Sequence, residues 1–213
     1  MERGRRWQEV LALLEEMIEG QVDPSVIVHG AAISACEKSG QWQAALGLLR
    51  SMRFVKLRPD AVAYSAAISA CEKGRRWEPA LELLREMREV ALEADVIACN
   101  SALSACEKGR RMEPALELLE EMLREGPPPD VISYNSVISV CEKGKQWQWA
   151  LGLLRSMRQL LLSPDVITYD ASISACEKGK MWPHALELLR EMRQLDLHPN
   201  LITYNAAISA CEK

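Results

Sequence analysis

Phenylalanine occurs once in this chain of 213 residues, and no apolar run approaches the roughly 18 residues that a bilayer-spanning helix requires. A membrane-spanning helix is therefore not predicted. The other aromatics are six Trp and four Tyr, and strand-favouring residues are outnumbered by Ala, Leu, Glu, Arg and Met, which favours helix. Excess positive charge is missing too. Lys and Arg number 26 against 30 Asp and Glu, a net charge of −4, which speaks against the uniformly basic surface of a non-specific nucleic-acid binder. The machinery of catalysis is equally sparse: there is no phosphate-binding loop, no pair of spaced catalytic carboxylates and no triad ordering. His29, His184 and His198 stand apart from any nucleophile or metal-ligand partner. Neither an enzyme nor a metal or cofactor is predicted. The seven cysteines come without a secretory signal, so a reducing, soluble compartment is predicted.

What is abundant is self-similarity. The string Ile33-Ser34-Ala35-Cys36-Glu37-Lys38 recurs at 68–73, 103–108, 138–143, 173–178 and 208–213, with single changes at Leu103 and Val140, and every step is 35 residues. Taking Val26 as a first residue, full repeats run 26–60, 61–95, 96–130, 131–165 and 166–200 without insertions. A partial repeat, 1–25, precedes them and another, 201–213, follows, so 1–213 is a single repeat array in which Met1 falls in the cysteine column.

Each copy carries two helical patterns. In the first, Val131, Tyr134, Ile138 and Cys141 make one apolar stripe and Ser133, Val137 and Val140 a smaller one beside it, which means two packed sides. Gly74, Gly109, Gly144 and Gly179 follow Glu-Lys, where a helix ending on a left-handed glycine is predicted. The second pattern places Trp77, Ala80, Leu81, Leu84 and Met87 on one face, with Pro79, Pro114 and Pro183 in the first turn, where proline costs no hydrogen bond. The connector ends in Pro59-Asp60, Pro129-Asp130, Pro164-Asp165 or Pro199-Asn200, whose last residue suits the N-cap of the next helix. No repeat buries both faces alone, so stacking must supply the core.

The Leu-Ile-Thr-Tyr-Asn opening at 201–205, the Ala-Leu-Glu-Leu-Leu-Arg-Glu-Met run at 80–87, the closing Pro-Asp and the 35-residue period together resemble the pentatricopeptide repeat, over the whole chain. The tetratricopeptide repeat has a period of 34, and its Gly-Tyr pattern is missing. The resemblance implies an all-α, right-handed superhelical solenoid of helix-turn-helix repeats that binds single-stranded RNA, one nucleotide per repeat. It also implies a mitochondrial or chloroplast location and a role in organellar RNA metabolism. In the family the fifth and last residues of each repeat read a base and the second wedges between bases.

On a helix the second, fifth, ninth and thirteenth residues share a face opposite the packed stripes. The second column is aliphatic throughout: Ile27, Val62, Ile97, Ile132, Ile167 and Ile202. The fifth varies within a fixed framework, reading Gly30, Ser65, Asn100, Asn135, Asp170 and Asn205, and the last reads Asp60, Asp95, Asp130, Asp165 and Asn200. By similarity to the family, Asn100 with Asp130 and Asn135 with Asp165 each favour uracil and Ser65 with Asp95 favours guanine, a G-U-U core. Gly30 with Asp60 and Asp170 with Asn200 remain unassigned. Lys38, Lys73, Lys108, Lys143 and Lys178 place one cation per repeat, and similar lysines in the family meet phosphates. Five such contacts imply a salt slope of about −0.7 each, roughly −3.5 in all.

Other accounts of the same columns exist. The closing Asp and Asn residues, with Ser25, are good N-caps in their own right, and each lysine suits a helix C-terminus. Burial between repeats is an alternative for the aliphatic column. Cys99 and Cys106 lie two turns apart, about 10 Å, too far to share a zinc ion, so the cysteines are predicted as small core residues. Trp7, Trp42, Trp77, Trp147 and Trp182, with Met112 once, form a packing column that leaves Trp149 aside. The full repeats opening at Val26 and Val131 carry net charges of +3 and +2, the others −2, −3 and −1. A protein-binding scaffold is the competing function, because the same geometry and an acidic surface serve it. Half-repeats at both ends leave apolar faces uncovered, as in a slice of a longer array.

Overall fold

The computed structural model describes residues 6–22 and 24–212, so the placement of Met1 in the cysteine column lies outside the described residues. Among these residues there are twelve α-helices and no strand. In chain order they are α1 (Arg6–Glu19), α2 (Val26–Lys38), α3 (Trp42–Phe54), α4 (Ala61–Lys73), α5 (Trp77–Glu89), α6 (Val96–Gly109), α7 (Met112–Arg124), α8 (Val131–Lys143), α9 (Trp147–Gln159), α10 (Val166–Lys178), α11 (Trp182–Gln194) and α12 (Leu201–Glu212). The even-numbered helices are the first helices of the repeats and the odd-numbered ones the second. The fold is all-α, as the periodicity predicts.

Every first helix starts on its predicted cap. Ser25, Asp60, Asp95, Asp130, Asp165 and Asn200 accept from the backbone N–H three residues on, at Val28, Ala63, Ala98, Ser133, Thr168 and Thr203. Ser133 and Thr168 return the bond to the N–H of Asp130 and Asp165, closing capping boxes.

The helix ends correct the expectation for glycine. Gly74, Gly144 and Gly179 are right-handed, with φ of −77°, −83° and −82°. The left-handed residue is the next one: Arg75, Lys145 and Lys180 have φ of 57°, 59° and 59°. Glycine is required at two of these places for room. A Cβ on Gly74 would sit 2.3 Å from Trp42 Cδ1, and one on Gly179 equally close to Trp147 Cδ1. Gly144 is spared, because Met112 replaces the tryptophan of the preceding copy and a Cβ there meets only ordinary contacts from 3.5 Å. The indole of Trp42 is also covered by Arg76, whose guanidinium carbon lies 4.6 Å from the ring centre.

Two compact units, Met1–Ala105 and Cys106–Lys213, divide the chain within α6. In the first, α2 packs on α1, α3 and α4, and α4 on α3 and α5. In the second, α8 packs on α7, α9 and α10, and α10 on α9, α11 and α12. α2, α4, α8 and α10 therefore each pack against helices on more than one side and keep one face open, as the double stripe requires. Tyr169, Ile173, Cys176, Leu188 and Met192 form part of the second unit's core, with Trp147 packed against it.

Polar clamps join successive copies. Arg53 Nη2 donates to Tyr64 Oη at 3.0 Å and pairs with Glu86. Arg158 repeats this with Tyr169, at 2.9 Å, and Glu191. Where Ser156 replaces the glutamate, its hydroxyl bonds Tyr134 Oη at 2.8 Å instead.

Candidate functional site

The open face of the first helices carries the columns predicted to meet a ligand. Burial between repeats does not explain the aliphatic one. Ile27 is 81% exposed, and Val62, Ile97, Ile132, Ile167 and Ile202 are 61–66% exposed. Six large apolar side chains in solvent at one repeat position cost solvation free energy that no intramolecular contact recovers. The fifth-column residues, three positions further along the same face, are lower: Gly30, Ser65, Asn100 and Asp170 are half-buried and Asn135 is buried. Asn205 is exposed. Gly30 has open space where a side chain would stand.

Two fifth-to-last pairs are joined directly. Asn135 Nδ2 donates to Asp165 Oδ1 at 3.1 Å, and Thr168 Oγ1 donates to Asn135 Oδ1 at 2.6 Å. A carboxylate only accepts, so the amide nitrogen must face Asp165 and the oxygen Thr168. The amide is fixed in one orientation, with one N–H and one oxygen lone pair to spare. In the next copy Asn200 Nδ2 donates to Asp170 Oδ2 at 2.6 Å, and Thr203 Oγ1 donates to Asp170 Oδ1. Asp165 and Asn200 thus cap the next copy's first helix and hold their own copy's fifth residue at once. Ser65 and Asp95 share no hydrogen bond among the described residues, and Asp95 caps α6 through Ala98 N–H at 2.8 Å. Asn100 lies in the first unit and Asp130 in the second.

The third-column hydroxyls Thr168 and Thr203 were not singled out by sequence reasoning. The available signal was a change down that column: Val28, Ala63 and Ala98 in three copies, then Ser133, Thr168 and Thr203.

The lysine ladder is largely committed elsewhere. Lys73 pairs with Glu37, Lys143 with Glu107 at 2.8 Å and Lys178 with Glu142, in each case the glutamate of the preceding copy. Ser139 Oγ also donates to Glu107 at 2.8 Å, and Ser104 Oγ to Glu72 at 3.1 Å. Lys38 and Lys108 are exposed.

Six of the seven cysteines are buried, and all seven are free thiols. Burial pushes Cys71 and Cys106 up to about 12, and Cys99, Cys141 and Cys176 up to about 11. These thiols stay protonated at neutral pH and belong to the packing.

Comparison with known proteins agrees with this architecture. The PPR repeat family model matches residues 94–143, 129–178 and 164–213, more than half of the chain. The chain belongs to the pentatricopeptide repeat family. A pentatricopeptide repeat domain model matches 12–73, and a PPR repeat model 62–90. No comparable match is found among curated proteins. Among solved structures, the pentatricopeptide repeat protein PPR10 from maize is similar over 98% of this chain and 35% of its own, at 19% identity and a TM-score of 0.62. PPR10 in complex with an 18-nt psaJ RNA element matches 95% of this chain and 35% of its own, at 20% identity and a TM-score of 0.51. The PPR domain of Arabidopsis thaliana protein-only RNase P 1, in complex with tRNA, matches 85% of this chain and 95% of its own, at 14% identity and a TM-score of 0.73. These likenesses are of fold, and the pentatricopeptide repeats here span about a third of the length of PPR10.

Proposed function

We propose that this chain binds single-stranded RNA through the open face of its first helices, one base per repeat, and that it acts by binding rather than catalysis. The observation that carries the reading is the exposed aliphatic column, Ile27 to Ile202, in register with a polar residue one turn away in every copy after the one that carries Gly30. Apolar side chains spaced by one repeat suit the faces of successive splayed bases, and the polar group between them suits a base edge. Two solved relatives are described in complex with RNA, which supports a nucleic-acid ligand over a protein one.

The fixed amide of Asn135 deepens the reading. Its spare oxygen lone pair and spare N–H stand in one order, set by Thr168 and Asp165. That order matches uracil, whose N3–H donates beside a carbonyl acceptor, and the flipped order cytosine needs is disfavoured by both neighbours. Ser65 with Asp95 takes guanine in the same scheme. We propose an organellar role, which the resemblance to the family supports, and sequencing RNA that co-purifies with the protein from mitochondria or plastids tests it and identifies the target.

Fluorescence anisotropy with short uridine-rich RNA tests the reading. Binding that weakens about tenfold when uridine is replaced by adenine is the expected result. Equal affinity for both would overturn base selection. A protein partner that stays bound at saturating RNA would favour the scaffold function.

A further inference from the structure

Asp170 stands in the fifth column where Asn100, Asn135 and Asn205 stand in other copies, and the hydrogen bonds around it run one way. Asn200 Nδ2 and Thr203 Oγ1 both donate to its carboxylate, one to each oxygen. Neither neighbour is free to turn round. Asn200 Oδ1 accepts from the N–H groups of Ile202 and Thr203 at 2.7 and 3.1 Å, and Thr203 Oγ1 accepts from Asn200 N–H at 3.0 Å. The carboxylate is held in place with a lone pair to spare on each oxygen and no proton of its own to give. Ile167, one turn away on the same helix face, and Ile202 in the next copy are each 63% exposed, so apolar side chains stand at the base-stacking places of both helices.

Two spare acceptors without a donor select a base edge that offers two adjacent donors. Among the four RNA bases only guanine has one, in N1–H and the N2 amino group. Uracil sets its single N–H between carbonyls, and adenine and cytosine each set the amino group beside an accepting ring nitrogen. We propose that Asp170, positioned by Asn200 and Thr203, is a guanine-reading site. The assignment rests on the RNA-binding reading above and gives a base to a pair that the family pattern leaves open.

The test walks a single guanosine along a short uridine RNA and measures each affinity by anisotropy, for the unaltered chain, for Asp170→Asn and for the double variant N135D/D165N. The expected result is a guanosine position that tightens binding about tenfold and loses that advantage in Asp170→Asn. In N135D/D165N, which moves the Asp-Asn pair one repeat earlier, a new optimum is expected one nucleotide away. Tight RNA binding with no guanosine position that depends on residue 170 would overturn the guanine assignment and leave the general reading standing. No binding to any of the RNAs would overturn both. Circular dichroism of each variant separates loss of fold from loss of selectivity.

Discussion

Gly74 and Gly179 are small because an indole lies against them, and the backbone would accept another residue. A methyl group on either would meet Trp42 or Trp147 at 2.3 Å, whereas Gly144 opposes Met112 and has room. Overpacking of this kind costs about 1–3 kcal/mol. Gly74→Ala and Gly179→Ala are expected to lose that much stability in urea unfolding, while Gly144→Ala stays within about 0.5 kcal/mol, since alanine suits a helix end better than glycine. Equal losses at all three would mean that conformation, and not the tryptophan, selects glycine. The column itself was legible in the sequence. Its reason was not, because the positive φ falls on Arg75 and Lys180, residues that ordinarily avoid it, and the partner tryptophan is 32 residues away. The hydroxyls of Thr168 and Thr203 escaped for a similar reason. Half the copies carry Val or Ala in that column, so it reads as ordinary packing until coordinates place it beside Asn135 and Asp170.

At the scale of helices, the boundaries and caps followed from pattern, since each closing Asp or Asn stands one residue before an apolar periodicity begins. What pattern could not supply was the partner of each lysine. Glu37, Glu107 and Glu142 precede the lysines they bind by 36 residues, and a helix seen alone offers each lysine only its own carbonyl end. Half-exposed pairs of this kind contribute under about 1 kcal/mol, so their rearrangement costs the fold little. Glu107→Gln releases Lys143 and is expected to strengthen RNA binding and to steepen its salt slope by about 0.7. The comparison is a pair of salt titrations on the altered and unaltered chains. An unchanged slope would remove Lys143 from the phosphate contacts. For the unaltered chain the slope should fall short of the −3.5 or so that five unpaired lysines imply.

Across the whole molecule, one chemical pattern recurs at 35-residue steps: an exposed aliphatic side chain, a polar residue one turn on in every copy after the one that carries Gly30, and a cap that closes the copy, which at Asp165 and Asn200 also steadies that polar residue. The sequence showed the period, the family and the columns, because repetition multiplies a weak signal. It left open whether the aliphatic column was buried between copies, since a helix carrying two apolar stripes has little polar face left to identify. Exposure of 61–81% along that column decides the matter. The most direct test replaces Ile132, Ile167 and Ile202 with serine together and measures affinity for uridine-rich RNA, with circular dichroism to confirm the helices. Stacking lost over three sites is expected to weaken binding a hundredfold or more, at roughly 1–3 kcal/mol per base. Unchanged affinity in a folded variant would contradict the account.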